Sequence, residues 1–466
     1  MTALSIPLSV KDQFLLKYPE YSETRVIDEV RKTEYSRLDQ DDHVYLDYTG
    51  GSLYSASQVT QHQNYLLRHV LGNPHSTNPS SMRSTMAVEE ARQKVLTYFN
   101  ASKDYICVFT PNATGALKII GESYPFTSSS HFLLPFDNHN SVNGIREYAK
   151  KKGAKHTYTP IQIEDLRFQP EVLKQQLQSY DQADQKLFAF PAQSNVSGVK
   201  HDLSWIDEAH QYGWDVLLDA SAFVPTNPLD LSVYNPDFVS LSFYKIFGYP
   251  TGLGALLIRK DKLEMLQKPW FAGGTVTLAS VMAEEFFLEK THARFEDGTI
   301  NYLDIPAIKT GLAFIESIGI TTIQKRISVL SHYILDTYPN LQHSNGQPIV
   351  KIFGPGTTEK RGGTFILNVF DEQGNPVPFH LVEQQANELN FSIRTGCFCN
   401  PGIDEINNNL EEHTLRTYFE TRTIGDYFDM QEYLHQLRGA IRISLGIVSN
   451  FEDVYRFEKF LKSFKS

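Results

Sequence analysis

The chain has 466 residues, with Lys+Arg 43 against Asp+Glu 54 and a formal net charge of −11 at neutral pH. That length allows two or more domains around a substantial core, and the acidic balance argues against a nonspecific nucleic-acid binder and against an intrinsic surface for anionic membranes. Three cysteines, Cys107, Cys397 and Cys399, speak against a disulfide-stapled secreted scaffold; residues 1–11 lack a basic start followed by an apolar run, and no segment has the length of a membrane span, so the cytoplasm is the expected compartment.

Residues 1–43 read as an amino-terminal arm with a polar helical pattern, leading into a strand and turn at Val44-Tyr-Leu-Asp47-Tyr-Thr-Gly-Gly51. The turn formers of Gly72-Asn-Pro-His75-Ser-Thr-Asn-Pro-Ser-Ser81 fit either a surface loop or the wall of a site, and a helix is expected over residues 85–99. Tyr105-Ile-Cys-Val-Phe-Thr110 has the pattern of a buried strand, with Cys107 as a core residue, and it turns directly into a helix. The backbone donors of Ala113 and Thr114, with the Thr114 hydroxyl, then either face one anion at the helix start or serve as an ordinary cap.

Residues 131–135 form the next expected strand, with His139 just past its end, facing either the same crevice or solvent. A helical pattern follows to about residue 152, then a polar excursion over residues 161–186. Leu187-Phe-Ala-Phe-Pro191 supplies another strand, its terminal loop carries Asn195, and a helix over residues 204–212 leads to Val216-Leu-Leu-Asp219, a buried strand ending in a carboxylate. Strand, polar loop and helix repeat, which predicts a mostly parallel sheet covered by helices.

Lys245 stands in Ser242-Phe-Tyr-Lys245-Ile-Phe-Gly248, between apolar runs at residues 236–242 and 252–258. A lysine so placed is ordinarily solvent-facing, and a strand-terminal aspartate is ordinarily a cap. One chemistry joins the two: the lysine forms an imine with pyridoxal 5'-phosphate, and Asp219 keeps the ring nitrogen protonated so that the ring accepts electrons. Downstream, Trp270-Phe-Ala-Gly-Gly-Thr275 suits a loop over a ligand, Phe295-Glu-Asp-Gly-Thr299 is an acidic turn, and residues 303–318 read as a long crossing helix. The organisation is therefore an arm over 1–43, a large domain over 44–320 and a smaller α+β domain over 321–466. The last has strands near residues 349–353, 364–370 and 439–445, and helices near 379–389 and 451–464. Cys397-Phe-Cys399 in this domain admits a structural, a metal-binding or a sulfur-carrying reading.

The ordered set Gly72-Asn-Pro-His-Ser76, Asp137-Asn-His-Asn-Ser-Val142, Leu218-Asp-Ala220, Ser242-Phe-Tyr-Lys245, Phe295-Glu-Asp-Gly-Thr299 and Arg394-Thr-Gly-Cys-Phe-Cys-Asn-Pro-Gly402 resembles the class V aminotransferase-like enzymes of fold type I. Within them it is most similar to the cysteine desulfurase domain of molybdenum cofactor sulfurases. The resemblance implies a three-layer α/β pyridoxal-phosphate fold, with Ala113, Thr114 and Ser242 at the phosphate, His139 stacked on the ring, and Asn195 at its phenolic oxygen. Asp219 would meet the ring nitrogen and Lys245 would carry the imine. It further implies a homodimer in which Thr299 reaches the neighbouring subunit's phosphate, substrate binding by Arg442 and Arg394, and Cys399 as the thiol that takes sulfur from L-cysteine. The expected products are L-alanine and a Cys399 persulfide destined for a separate acceptor, since the final segment reads as a closing helix rather than an acceptor domain. Tyr244 and Ala222 stand where desulfurase relatives usually have histidine and glutamine. A C–S lyase, an aminotransferase or an epimerase, or a noncatalytic sulfur carrier, remain the alternatives.

Overall fold

The computed structural model describes residues 9–466; residues 1–8, the greater part of the opening segment without a leader pattern, lie outside the described residues. In chain order the strands are β1 (Val44–Tyr45), β2 (Tyr105–Thr110), β3 (His131–Pro135), β4 (Lys155–Thr159), β5 (Lys186–Pro191), β6 (Asp215–Asp219), β7 (Phe238–Ser242), β8 (Gly254–Arg259), β9 (Val276–Ser280), β10 (Glu285–Leu288), β11 (Val350–Phe353), β12 (Thr364–Val369), β13 (Phe391–Ser392), β14 (Arg394–Gly396) and β15 (Ala440–Ser444). Seven of them make the main sheet in the order β2-β8-β7-β6-β5-β3-β4, all parallel except β8, which runs antiparallel to both neighbours. β6 and β7 are buried at every position, because helices cover both faces of the sheet. On one face lie the helices Ala113–Ser123 and Ile145–Lys151, packed through Leu117, Ile120 and Ile145; on the other, Pro79–Tyr98 and Ile305–Ile318 pack against each other.

This topology decides where function sits. The parallel strands β2, β3, β5, β6 and β7 end at one edge of the sheet, and the segments that follow carry Ala113, His139, Asn195, Asp219 and Lys245 to that edge. The smaller unit is a four-stranded antiparallel sheet in the order β11-β12-β15-β14. It is flanked by helices Ile320–Thr337, Phe379–Glu388 and Phe451–Lys462. β1 pairs in parallel with β13, and the Ser444 N–H donates to Leu46 O at 2.7 Å, so the segment running into Asp47 is stitched to this smaller sheet. The arm is anchored there too: Arg31 meets Asp453 at 2.7 Å, Arg326 meets Asp28 at 2.8 Å, and Phe14 stacks on Phe451 at 4.2 Å.

Several local expectations shift. The helix expected over residues 85–99 begins at Pro79, because Asn78 caps it through the Ser81 N–H and Pro79 occupies the first helical position. Residues 72–78 form the expected loop, and only its end, from Pro79 on, belongs to the helix. The edge strand β4 precedes the polar excursion over residues 161–186, which contains the helix Pro170–Gln178. Unpaired on its outer side, β4 carries no continuous apolar run. The helices Pro401–Asn407, Glu412–Glu420 and Tyr427–Leu434, which follow the cysteine loop, were not anticipated.

Candidate active site

The crevice at the sheet edge encloses about 130 Å³. Ala113, Thr114, His139, Asn195, Asp219, Ser242 and Lys245 line it together, joined by Gln193, Ser221, Ala222 and Tyr244. The Ala113 N–H donates to Ser242 Oγ at 2.9 Å, tying the end of β2 to the end of β7. That donor is therefore already engaged, and it reaches an anion only by exchanging this bond. The Thr114 hydroxyl lies 2.8 Å from Ser141 Oγ, and His139 Nδ1 accepts from the Ser141 N–H at 3.1 Å, which fixes the imidazole against its own turn. Asp219 Oδ1 accepts from the Ser221 N–H at 3.1 Å and from Ser240 Oγ at 3.0 Å.

Lys245 lies in the short helix Phe243–Phe247. Gly248 ends that helix at φ +81°, and a Cβ there would overlap the backbone of Leu53 and Tyr54, so only glycine lets the lysine turn pack this closely. Burial lowers the Lys245 pKa, with Arg442 acting in the same direction and Asp219 opposing. Burial also lowers the His139 pKa, reinforced by Lys245. Both groups are biased toward their neutral, proton-accepting forms.

Beside the crevice the two arginines expected at the substrate, Arg442 and Arg394, share one carboxylate, Asp47, which the sequence reading did not assign to the site. Arg442, only 3% exposed, donates through Nη2 to Asp47 Oδ1 at 2.7 Å and through Nη1 to Asn195 O at 2.9 Å. Arg394 donates through Nε and Nη2 to Asp47 Oδ2 at 3.0 and 2.8 Å. Arg442 Nε has no partner among the described residues. The available signal for Asp47 was a strand-end carboxylate ahead of Gly50, where a Cβ would collide with that carboxylate.

The cysteine loop closes over the same region. Phe398 and Cys399 both have positive φ, +57° and +55°. Cys399 O accepts from the Asn140 N–H at 2.7 Å, and Phe398 O accepts from Asn195 Nδ2 at 2.8 Å. The amide expected at the ring's phenolic oxygen is thus engaged with the cysteine loop. The Cys399 side chain is exposed. Cys397 differs: burial, then Asp404, pushes its thiol pKa up. Cys107 is buried in β2, and burial pushes its thiol up to about 12. Thr299 is not brought to the crevice within this chain. It lines a separate cleft of about 350 Å³ with Lys268 and Asp297, and accepts from Asn73 Nδ2 at 3.2 Å.

The family model for aminotransferase class-V matches residues 44–457. The chain belongs to that family. Molybdenum cofactor sulfurase of Solanum lycopersicum is 38% identical over 499 aligned positions, covering 98% of this chain and 60% of that protein. The Homo sapiens molybdenum cofactor sulfurase is 37% identical, covering 93% of this chain and 51% of its own length. The chain thus spans between 51% and 60% of these two relatives. Among solved structures, the apo cysteine desulfurase of Thermococcus onnurineus NA1 superposes with a TM-score of 0.77 at 21% identity, covering 94% of this chain and 97% of that one. The cysteine desulfurase CsdA of Escherichia coli does so with a TM-score of 0.71 at 19% identity, covering 94% and 98%. At those identities the likeness is one of fold, a fold-type I sheet with a smaller α+β unit.

Membership in this class V family makes the chain an enzyme of a pyridoxal-phosphate-dependent class and implies a cofactor site. The residues present fit that group. A helix start with Thr114 and Ser242 offers donors to a phosphate, Asp219 supplies a buried carboxylate for a ring nitrogen, and Lys245 is a buried amine with a lowered pKa at the end of the same crevice.

Proposed function

We propose that this protein is a cysteine desulfurase: it takes sulfur from L-cysteine, releases L-alanine, and holds the sulfur as a persulfide on Cys399 for a separate acceptor. The observation that supports this reading best is an exposed Cys399 whose loop is latched to the crevice wall through the Asn140 N–H and Asn195 Nδ2. Pyridoxal phosphate, when bound, supplies an electron sink for the bond-breaking at the substrate.

In this reading Thr114, Ser242 and the helix start hold the phosphate, His139 lies on the ring face, Asp219 meets the ring nitrogen and Lys245 is the attachment amine. Asn195 reaches the phenolic oxygen with the amide proton not given to Phe398. Arg442 receives the substrate carboxylate through its unpaired Nε edge, with Arg394 as second cation. Burial, which lowers the Lys245 pKa, favours the neutral amine, the form suited to take the α proton and return it. Cys399, as thiolate, attacks the substrate sulfur. The new S–S bond forms as the Cβ–S bond breaks, and the electron pair left on carbon takes up a proton, so that L-cysteine and one thiol become L-alanine and one persulfide. The cytoplasm, where thiols stay reduced, belongs to the same proposal.

The test is to incubate the purified holoenzyme and its Cys399→Ser variant with L-cysteine and to measure alanine, pyruvate, sulfide and protein persulfide. Alanine with a persulfide on Cys399 in the wild type, and no persulfide in the variant, is the expected outcome. Pyruvate with free sulfide would assign a C–S lyase instead, and an amino-group exchange that leaves the carbon–sulfur bond intact would assign an aminotransferase.

A further inference from the structure

Asp137 is fully buried and carries three donors at once: Ser194 Oγ at 2.8 Å, His201 Nε2 at 3.0 Å and Asn400 Nδ2 at 2.7 Å. Two of these belong to the large unit. The third is the residue immediately after Cys399. Asn400 is 1% exposed, and its Nδ2 also lies 3.1 Å from Asn195 Oδ1. Asp137 begins the loop that presents His139 to the crevice and that donates the Asn140 N–H to Cys399 O. Asn400 therefore fastens the cysteine loop to the very segment that builds the crevice wall. The fastening is needed because Phe398 and Cys399 both occupy the left-handed region, which side-chain-bearing residues leave when nothing holds them there.

We propose that Asn400 is a positioning residue for sulfur transfer: its bond to the buried Asp137 carboxylate holds Cys399 in a strained conformation at the crevice mouth. The chemical consequence rests on the desulfurase reading; the structural one does not. A charge-assisted bond inside the protein is hard to replace with water, so its removal releases the loop rather than merely loosening it. A released loop leaves Cys399 on the surface but no longer aimed at the substrate sulfur, so the attack that breaks the Cβ–S bond slows, and persulfide and alanine formation slow together.

The test uses the full-length holoenzyme with Asn400→Ala and Asn400→Asp. Hydrogen exchange at the Asn140 amide, which is bonded to Cys399 O, reports the latch without any substrate, and the amides of β6 report the core. Exchange at Asn140 is expected to rise by about tenfold or more in Asn400→Ala, the change that loss of one hydrogen bond to a charged group gives, with β6 unmoved. Asn400→Asp keeps the shape but sets a second carboxylate against Asp137, and is expected to open the latch further. If that variant does not fold, Asn400→Ala decides alone. With L-cysteine, Cys399 persulfide and alanine are expected to fall together by about tenfold, while the cofactor absorption is retained. Unchanged Asn140 exchange in a folded variant overturns the proposal, and so does a rise matched by β6, which marks general destabilisation. A wild type that makes no persulfide removes the desulfurase reading and leaves the exchange experiment to decide on the latch.

Discussion

Arg442 and Asp47 form a buried ion pair, Nη2 to Oδ1 at 2.7 Å, between residues 395 positions apart in the chain. Asp47 belongs to the segment stitched to the smaller sheet, and Arg442 to the central region of that sheet, so the pair fixes a guanidinium at the border between the two units. Its other oxygen holds Arg394. A carboxylate shared in this way holds two forks in one orientation while leaving Arg442 Nε free. Replacing Asp47 by Asn keeps the shape and removes the charge. In the desulfurase reading, KM for L-cysteine should rise by about tenfold, the effect of losing roughly 1.4 kcal/mol of substrate positioning, with kcat nearly unchanged. Steady-state alanine formation measures it. An unaltered KM would remove Asp47 from substrate placement.

The crevice was legible where a buried strand ends in a polar residue. Continuous apolar runs bounded β2, β6 and β7, and the parallel order of the sheet did the rest, bringing Thr114, Asp219 and Lys245 together. Contacts that span the chain left no such trace. Asp47 pairs with Arg442 across 395 positions and Asn400 with Asp137 across 263, and neither pairing produces a periodicity. The roles assigned to Arg442, Cys399 and Thr299 came from the resemblance, since their local patterns equally suit a surface strand, a structural thiol and an acidic turn. β4 escaped for a different reason: at an edge, only Thr159 of its five residues is fully buried, so it carries no apolar run.

The two cysteines of the loop are separated by burial. The Cys397 thiol is pushed up by burial and by Asp404, whereas Cys399 is exposed. Because the thiolate is the nucleophile, Cys397→Ser should leave persulfide formation within about twofold of wild type, and Cys399→Ser should lower it by on the order of 100-fold or more. Mass spectrometry of the loop peptide after a single turnover distinguishes them. Equal losses in both variants would show that the sulfur needs both thiols.

The hairpin of β9 and β10 exposes Val281 at 95%, Met282 at 99% and Phe287 at 67%, close in sequence to the segment that carries Thr299 away from its own crevice. In the desulfurase reading, an apolar tip of this kind suits association with a second copy, which would then receive Thr299. Sedimentation velocity should find a dimer, and Met282→Asp with Phe287→Asp should shift it to monomer and weaken cofactor retention. A monomeric wild type that keeps its cofactor would contradict this assembly.

Glu296, in the segment leading to Thr299, is a buried carboxylate whose pKa is held down to about 2 from an ordinary 4.5; burial opposes that shift, and hydrogen bonds and charge from His292 and Arg92 outweigh it. Arg92 meets it at 2.7 and 3.1 Å, and it accepts the Phe109 N–H at 2.7 Å, which fixes the segment to the end of β2. Since the folded pKa is depressed, the ionised group stabilises the fold fully above its ordinary value, and that stabilisation fades as pH falls from 4.5 toward about 2. Glu296→Gln removes the charge and keeps the shape, leaving Arg92 buried without its main partner, at a cost on the order of 3 kcal/mol near neutral pH. Thermal melts of the two proteins should therefore lie furthest apart at neutral pH and converge as the wild-type carboxylate is protonated. A gap that stays constant down to about pH 3 would mean that Glu296 stabilises through shape and hydrogen bonding rather than through its charge.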